Sequence, residues 1–219
     1  DDGAQKRGGK VVIRKVRVGN VVLGSGSIAV QSMTTVKTSE VQACVAQINA
    51  LKNAGCDIAR VAVADEEDAR ALRAVCDAVA LPVVADVHFS ARLAVLAVEN
   101  GAHKLRINPG NIGSEREVAL VADCLKAHHI PVRVGANTGS IEKKHLERYG
   151  RSAQALVLSA LENVAVLEKH GVEDIVVSVK ASDVPLTVEA YTLLRKQCDY
   201  PLHLGVTEAG TRGMGIVKS

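Results

Sequence analysis

Polar and charged side chains recur at every second position toward the ends of several short apolar segments of this sequence. Lys104, Arg106 and Asn108 alternate with apolar residues in this way, and further along the chain Ser178, Lys180 and Ser182 do the same. Alternate side chains of a β-strand point to opposite faces, so each polar set is predicted to line one face. The candidate site residues with this pattern, or at the matching end of a neighbouring segment, are Arg60, Asp86, His88, Arg106, Asn108, Arg133, Asn137, Lys180, Ser182 and Glu208.

Four cations in this set come from four different segments: Arg60, Arg106, Arg133 and Lys180. Bringing them into one concave site costs several kcal/mol per ion unless anions compensate their charge. We expect carboxylates at Asp86, Asp183 and Glu208 to neutralise part of it. Guanidinium groups bind phosphate oxygens in pairs and lysine adds a point charge, so the sequence predicts a site for a phosphate-bearing ligand.

Two further features belong to the same predicted site. His88 follows Asp86 on the same face, which is consistent with an acid-base or hydrogen-bonding role, although a structural histidine is the alternative. Glycine-containing loops at 108–111 and 135–140 follow Arg106 and Arg133 directly. Glycine lets backbone amides approach a ligand closely, so we interpret these loops as phosphate cradles.

The elements that must position these residues are short Val/Ile-rich runs alternating with longer Ala/Leu/Glu segments. Seven strands are predicted, at 28–34, 57–64, 82–88, 103–108, 131–137, 174–182 and 201–207. The connections are long enough for crossover helices, which predicts a parallel α/β sheet of the TIM (β/α)8 barrel type. A β-hairpin over 15–23, with Gly19-Asn20 at its turn, is predicted to cover one end. A doubly wound open sheet is the alternative, but no dinucleotide-binding glycine motif or P-loop is present.

Composition excludes several other classes of protein. The chain has 219 residues, is 47% hydrophobic and carries a net charge of only +3, so disorder and nonspecific nucleic-acid binding are disfavoured. Its four aromatic residues leave no stacking platform, and no apolar run is long enough to span a membrane. The polar first ten residues lack the apolar core of a signal peptide, which favours the cytoplasm. We therefore expect neither a nucleic-acid partner nor a membrane.

The cysteines do not form a metal-binding pattern. Five are present, they stand far apart, and none belongs to a Cys-x-x-Cys pair. The sequence therefore predicts neither a disulfide framework nor a metal site, and nothing in it would hold an iron-sulfur cluster alone.

Six motifs in order resemble a known family. They are Val-Gln-Ser-Met-Thr at 30–34, Ala-Asp-Val-His-Phe at 85–89, Leu-Arg-Ile-Asn-Pro-Gly-Asn-Ile-Gly at 105–113, Arg-Val-Gly-Ala-Asn-Thr-Gly-Ser at 133–140, Ser-Val-Lys-Ala-Ser-Asp at 178–183 and Leu-Gly-Val-Thr-Glu-Ala-Gly at 204–210. Together they closely resemble the 4-hydroxy-3-methylbut-2-enyl diphosphate synthase family, from about residue 16 to the end of the sequence.

The resemblance implies reductive ring opening of 2-C-methyl-D-erythritol 2,4-cyclodiphosphate in non-mevalonate isoprenoid biosynthesis. It also implies a [4Fe-4S] cluster, ferredoxin or flavodoxin as the electron donor, and a homodimer. By motif, the residues implied to hold the diphosphate and orient the ring are Arg60, His88, Arg106, Arg133, Asn137 and Lys180. Glu208 is implied as a proton donor, which with His88 makes the pair of catalytic candidates, whereas the role of Ser182 is less defined.

The sequence departs from the family in extent. After a flexible tail at 1–14, we expect an incomplete barrel at 15–219 without the eighth strand. The family's smaller C-terminal domain, in which three cysteines and one glutamate hold the cluster, is absent as well. We therefore interpret the chain as a fragment, or the ordered part, of a longer protein. Two alternatives stay open: a dihydropteroate-synthase-like diphosphate-binding barrel, and a substrate-binding fragment without activity of its own.

Overall fold

The computed structural model of the protein describes residues 12–218. Of the predicted flexible tail, residues 1–11 lie outside the described part of the chain. Arg14, at the end of that predicted tail, is attached to the fold. Its backbone N donates to the carbonyl of Asp199 at 2.9 Å, and its guanidinium lies 4.5 Å from the ring centre of Tyr200.

A β-hairpin begins the described fold, as predicted. Strands β1 (Val16–Val18) and β2 (Val21–Leu23) pair antiparallel around Gly19, whose φ of 56° suits glycine. Val18 packs against Ile58 and Val84 on the inner face of the main sheet. The hairpin therefore closes the end of the sheet at which the parallel strands begin.

The main sheet is parallel and has six strands in sequence order. They are β3 (Gln31–Met33), β4 (Ile58–Ala62), β5 (Val83–Asp86), β6 (Lys104–Arg106), β7 (Val132–Asn137) and β8 (Ile175–Lys180). Each strand pairs with the next one along the chain, as in a TIM-type barrel. The predicted parallel α/β architecture is therefore confirmed.

Helices connect the strands and cover the outer face of the sheet. They are α1 (Val41–Asn53), α2 (Glu66–Ala78), α3 (Ala91–Glu99), α4 (Pro109–Ile112), α5 (Glu115–His128), α6 (Lys143–Tyr149), α7 (Ala153–Lys169), α8 (Val184–Arg195) and α9 (Arg212–Lys218). Polar residues begin several of them: Ser114 and Glu117 form a reciprocal capping box at α5, and Asp65 accepts a hydrogen bond from the Asp68 amide at α2. None of the helices in the described range is long and apolar enough to cross a membrane.

The two faces of the strands have different chemistry. Leu105, Val134 and Val177 point outward into the large core that the helices complete. The intervening residues of the same strands, such as Arg106 and Arg133, point inward. The predicted alternation is therefore confirmed, and it places the polar side chains inside the sheet.

The predicted seventh strand at 201–207 is not a regular strand. The segment runs parallel to β8 but forms a single bridge, between Leu202 and Val177. Beyond it the Tyr191 hydroxyl lies between the two backbones, accepting a hydrogen bond from the Val179 amide at 3.3 Å and donating to the His203 carbonyl. A side chain thus replaces the backbone ladder there, which alternation of residue types does not reveal.

Candidate anion-binding site

Asp86, at the end of β5, is the centre of an ionic network. Its Oδ1 atom lies 3.1 Å from Arg106 Nη1 and 3.3 Å from His88 Nε2, and its Oδ2 atom lies 3.7 Å from Arg60 Nε. The register brings these residues together, because Asp86 pairs with Arg106 on β6 and Arg60 pairs with Val84 on β5. The expected proximity of Asp86, His88, Arg60 and Arg106 is confirmed.

His88 is held by two of its neighbours. Besides Asp86, Arg106 Nη1 lies 3.2 Å from its Nδ1 and 3.1 Å from its Nε2. The ring side chain is still about half exposed. His88 therefore faces solvent from a fixed position, as a ligand-contacting residue needs to.

Arg60 is incompletely neutralised. Its Nε and Nη2 atoms donate to the sulfur of Met33 at 3.1 and 3.0 Å, and a thioether is a weak acceptor. Burial lowers the pKa of Arg60 and the Arg106 charge lowers it further, against the opposing effect of Asp86. One shared carboxylate is therefore a weak counter-charge for this guanidinium.

Arg133, on β7, is the least satisfied cation. The residue is only 5% exposed, and its Nε and Nη1 atoms have no hydrogen-bond partner in the described part of the chain. Burial, with the charges of Arg60 and Arg106, lowers its pKa to about 10, so it remains charged at neutral pH. Buried donors normally have partners, so these two orphaned donors indicate a place for a ligand acceptor.

A cavity of about 160 Å³ lies beside these cations at the ends of the strands. Six of its lining residues are Arg106, Asn108, Arg133, Asn137, Ser178 and Lys180. Burial lowers the pKa of Lys180 to about 7, with a further lowering by Arg133, Arg60 and Arg106. The cavity is thus polar, cationic and of a size that suits a small anionic group.

The two glycine-containing loops interpreted as phosphate cradles form part of the cavity wall, and several of their backbone amides donate within the protein. Asn108 Oδ1 accepts from the Gly110 amide at 3.1 Å, and Asn137 Oδ1 accepts from the Gly139 amide at 3.0 Å. Position 135 requires glycine, because a Cβ atom there would lie 1.8 Å from the Ser178 carbonyl oxygen of the neighbouring strand. The asparagines therefore organise their own loops as well as lining the cavity.

Three predicted residues belong neither to the Asp86 network nor to the cavity lining. Asp183 Oδ1 accepts from the Leu186 amide at 2.8 Å and caps α8, so the expectation that it neutralises the cations is wrong. Ser182 is half-buried and accepts from Lys218 Nζ at 3.3 Å through its carbonyl oxygen. Glu208 is exposed, with a φ of 49°, just beyond the end of the segment at 201–207. Of the three expected carboxylates, Asp86 alone is paired with these cations in the described residues.

A fifth cation, not among the candidate residues, lies deeper in the sheet. Lys104 is 1% exposed, and its Nζ donates to Gln31 Oε1 at 3.1 Å. Burial, with the charges of Arg133 and Arg60, lowers its pKa to about 7. The alternation with Arg106 and Asn108 already placed it on the inner face, but Lys104 does not line this cavity; with Gln31 and His203 it lines a separate cavity of about 690 Å³. His203 is also largely buried, and burial with the nearby cations lowers its pKa to about 2, so it is neutral.

The described residues do not fit an iron-sulfur cluster. No group of three or more His, Cys, Asp or Glu side chains between residues 12 and 218 is arranged to hold a metal ion. The five cysteines are all free thiols, and Cys44 is fully buried. The described part of the chain therefore offers no ligand set for a cluster.

A parallel β/α sheet with helices on its outer face and polar side chains gathered at the carboxyl ends of its strands defines a class of protein, the TIM-type barrels. Within that class, the family model described as the GcpE TIM-barrel domain matches residues 13–219. The chain belongs to this family.

Similar proteins carry a consistent name. The 4-hydroxy-3-methylbut-2-en-1-yl diphosphate synthase (flavodoxin) of Desulfotalea psychrophila is 52% identical over 211 residues, which cover 94% of this chain and 58% of that protein. The synthase of the same name from Thermotoga petrophila is 50% identical over 207 residues, covering 94% of this chain and 59% of that protein. The chain thus spans under two thirds of the length of these relatives.

Solved structures of more distant proteins share the fold. A Xanthomonas albilineans dihydropteroate synthase matches with a TM-score of 0.64 at 14% identity, over 94% of this chain and 80% of that one. A 3-dehydroquinate dehydratase from Geobacillus kaustophilus matches with a TM-score of 0.65 at 14% identity, over 94% and 82%. Likeness at this level of identity shows the fold alone.

Proposed function

We propose that this chain is the substrate-binding barrel of a 4-hydroxy-3-methylbut-2-enyl diphosphate synthase. The reaction is the reductive ring opening of 2-C-methyl-D-erythritol 2,4-cyclodiphosphate. The single observation that carries the proposal is Arg133, a nearly buried guanidinium with two unpartnered donors beside a cationic cavity. A diphosphate supplies both the missing acceptors and the missing negative charge.

The residues of this chain would hold and orient the ligand. Arg106, Arg133 and Lys180 line the cavity and would bind the phosphate oxygens. Asn108 and Asn137 order the two loops at the cavity wall, and because their side chains already accept from the Gly110 and Gly139 amides, the loops would shape the cavity rather than donate those amides to the phosphate. Arg60 would contribute charge from the side of the Asp86 network.

Two residues would handle protons. Asp86 and Arg106 hold the half-exposed His88 imidazole, which would exchange one of its contacts with Arg106 for a hydrogen bond to the bound ring. Glu208 is exposed just beyond the segment at 201–207 and would deliver a proton to the hydroxyl that leaves as water when the ring-opened ligand is reduced by two electrons. Ser182 precedes Asp183, the cap of α8, and its carbonyl oxygen accepts from Lys218. It would contact the ligand only if the segment around it moved.

The electrons require a redox centre, because no amino-acid side chain supplies them. We propose that a [4Fe-4S] cluster held outside the described residues serves this purpose, with flavodoxin or ferredoxin as its donor. We further propose a homodimer, in which a barrel and a cluster of different subunits meet. The five free thiols suit a reducing compartment, and we propose the cytoplasm.

Calorimetric titration tests the binding step. The purified protein is expected to bind the cyclic diphosphate and to lose that binding when salt screens the cations. A pterin diphosphate serves as the competing ligand. Binding of the pterin diphosphate without binding of the cyclic diphosphate would contradict the proposal in favour of the pterin-binding alternative.

An assay tests the reaction. The chain is extended through the part of the Desulfotalea psychrophila relative that it does not cover, and is assayed without oxygen, with dithionite-reduced viologen as donor. We expect the ring-opened diphosphate to appear, and to disappear with Lys180→Met. Binding without turnover in the extended protein would reduce the chain to a diphosphate-binding module.

A further inference from the structure

Lys104 is a buried cation with an unusual environment. It is the first residue of β6, and its strand partner is Val84, which belongs to the apolar cluster beneath the hairpin. Gln31 Oε1, at 3.1 Å, is the hydrogen-bond acceptor of its amine. An amide oxygen is a poor substitute for a carboxylate or water, so an ammonium at this position is costly.

The groups that act on Lys104 are almost all positive. The charged or titratable groups on the elements around it are Arg60, Asp86, Arg106, Arg133, Lys180, His203 and Arg195, the last of which lines the same cavity of about 690 Å³ as Lys104. His203 is neutral, and Asp86 is already shared by Arg60 and Arg106. Burial and the charges of Arg133 and Arg60 therefore leave the pKa of Lys104 at about 7.

We propose that Lys104 is a positioning residue of the anion site, whose buried amine takes up a proton from solvent when a phosphate-bearing anion binds above it. The ammonium formed in this way stabilises the bound anion from below without touching it. The inference rests on the proposed function only in the identity of the ligand, since any anion in the cavity would act in the same direction.

The sign of the effect follows from the charges. In the empty protein the amine is about half protonated at neutral pH, since its pKa is about 7. A bound anion offsets the repulsion from Arg133 and Arg60, which raises the pKa of the amine. Between the two pKa values, binding takes up protons, and the affinity for the anion falls as pH rises above 7.

Calorimetry in two buffers of different ionisation enthalpy counts the protons taken up on binding. The probes are the cyclic diphosphate and sulfate, because the charge of each is constant around pH 8. At that pH, unsubstituted protein is expected to take up about 0.4 proton more than Lys104→Met, because raising the pKa by about one unit from about 7 increases the protonated fraction from about 0.1 to about 0.5. The variant should also bind about fivefold more weakly at pH 7, because the empty protein already carries about half of the proton there and the full effect of one pKa unit is tenfold.

Two further variants separate this role from a structural one. Lys52→Met, at an exposed position at the end of α1, should change neither proton uptake nor affinity. Gln31→Glu supplies a carboxylate that keeps Lys104 protonated in the empty protein, so proton uptake should fall although the lysine remains. This second variant also decides the matter if Lys104→Met does not fold.

The outcomes distinguish this inference from the proposed function. Equal proton uptake in unsubstituted protein and in both Lys104→Met and Gln31→Glu would overturn the role of Lys104, whatever the ligand. Sulfate binding with the expected differences, but no binding of the cyclic diphosphate, would overturn the proposed function and support Lys104. If neither probe binds, both are overturned.

Discussion

At the level of single residues, the site depends on one carboxylate serving several partners. Asp86 is 5% exposed and lies within ion-pair distance of Arg60, Arg106 and His88. Removing one member of a buried ionic network leaves the others desolvated and unpaired, which costs more than the pair contributed. Asp86 therefore stabilises the empty barrel by holding like charges together.

Asp86→Asn keeps the shape of this side chain and removes its charge. We expect the free energy of unfolding to fall by about 2 kcal/mol, as for other hydrogen bonds to charged groups. Added sulfate should restore part of the loss by binding to the freed cations. Urea titration measures both effects. Asp199→Asn, in the exposed pair with Arg14, is the control and should cost less than about 1 kcal/mol. Equal losses for both variants would contradict this account.

Arg133, unlike Asp86, is expected to contribute to ligand binding and not to the stability of the empty protein. Two of its nitrogens have no hydrogen-bond partner in the described residues. Arg133→Met therefore removes a buried charge without breaking a hydrogen bond at either of these nitrogens. The empty protein should be as stable as before, or more so. Affinity for the cyclic diphosphate should weaken by about 2 kcal/mol. Calorimetry and thermal unfolding test the two parts, with Arg116→Met on the exposed start of α5 as the control. A destabilised variant with unchanged affinity would assign Arg133 to structure.

At the level of elements, the segment at 201–207 depends on α8 as much as on β8. Its one ladder bridge, at Leu202, is followed by the hydroxyl of Tyr191 from α8. The same segment carries His203 and leads to Glu208, so its position sets one side of the barrel mouth. A single side-chain hydroxyl therefore helps to position part of the site.

Tyr191→Phe removes this hydroxyl without changing the ring. The Val179 amide and the His203 carbonyl would lose their partner, which should cost about 1 to 3 kcal/mol for buried polar groups. Hydrogen exchange at the Val179 amide should accelerate more than exchange elsewhere in β8. Tyr149→Phe, at the end of α6, is the matched control and should leave exchange unchanged. Unaltered protection of Val179 would show that the hydroxyl is dispensable.

At the level of the whole molecule, the interior is divided along the barrel axis. The hairpin end holds the apolar cluster of Val18, Ile58 and Val84, and the opposite end holds the cations around Asp86. Lys104 lies at the boundary between the two. The barrel therefore carries a charge imbalance inside it, which a bound anion would relieve.

This imbalance predicts an unusual dependence of stability on pH. In the folded protein Lys104 and Lys180 have pKa values of about 7, against an ordinary value of 10.5. Above pH 7 the unfolded chain binds more protons at these groups, so the free energy of unfolding should rise with pH. The expected rise between pH 7 and 8.5 is about 1 kcal/mol per pH unit for each lysine.

Urea titrations at several pH values measure this slope. Lys180→Met should reduce it, whereas Lys52→Met should leave it unchanged. The range ends at pH 8.5 because burial raises the pKa of Cys76 and of other thiols, which opposes the lysines at higher pH. A flat profile for the unsubstituted protein would mean that the lysines are solvated.

The site was predictable only where its residues follow the alternation of a strand. That alternation was enough to place Arg60, Asp86, Arg106, Arg133 and Lys180 together, because neighbouring parallel strands bring equivalent positions to one level. It could not separate Asp183, which caps α8, from carboxylates that neutralise cations. Nor could it find the Met33 sulfur or the Gln31 amide as partners, since uncharged acceptors show no pattern along the chain.

The sequence by itself determined the parallel α/β fold, the hairpin and the cationic interior, because periodicity and turn residues act locally and survive into the folded state. Only the tertiary structure decided that Tyr191 interrupts the ladder beside β8 and that Lys104 is buried outside the lining of the anion cavity. The tertiary structure also decided that two Arg133 donors have no hydrogen-bond partner among the described residues. The physical reason is that hydrogen-bond partners and desolvation depend on which atoms of distant segments meet, and residue types along one chain do not encode those contacts separately.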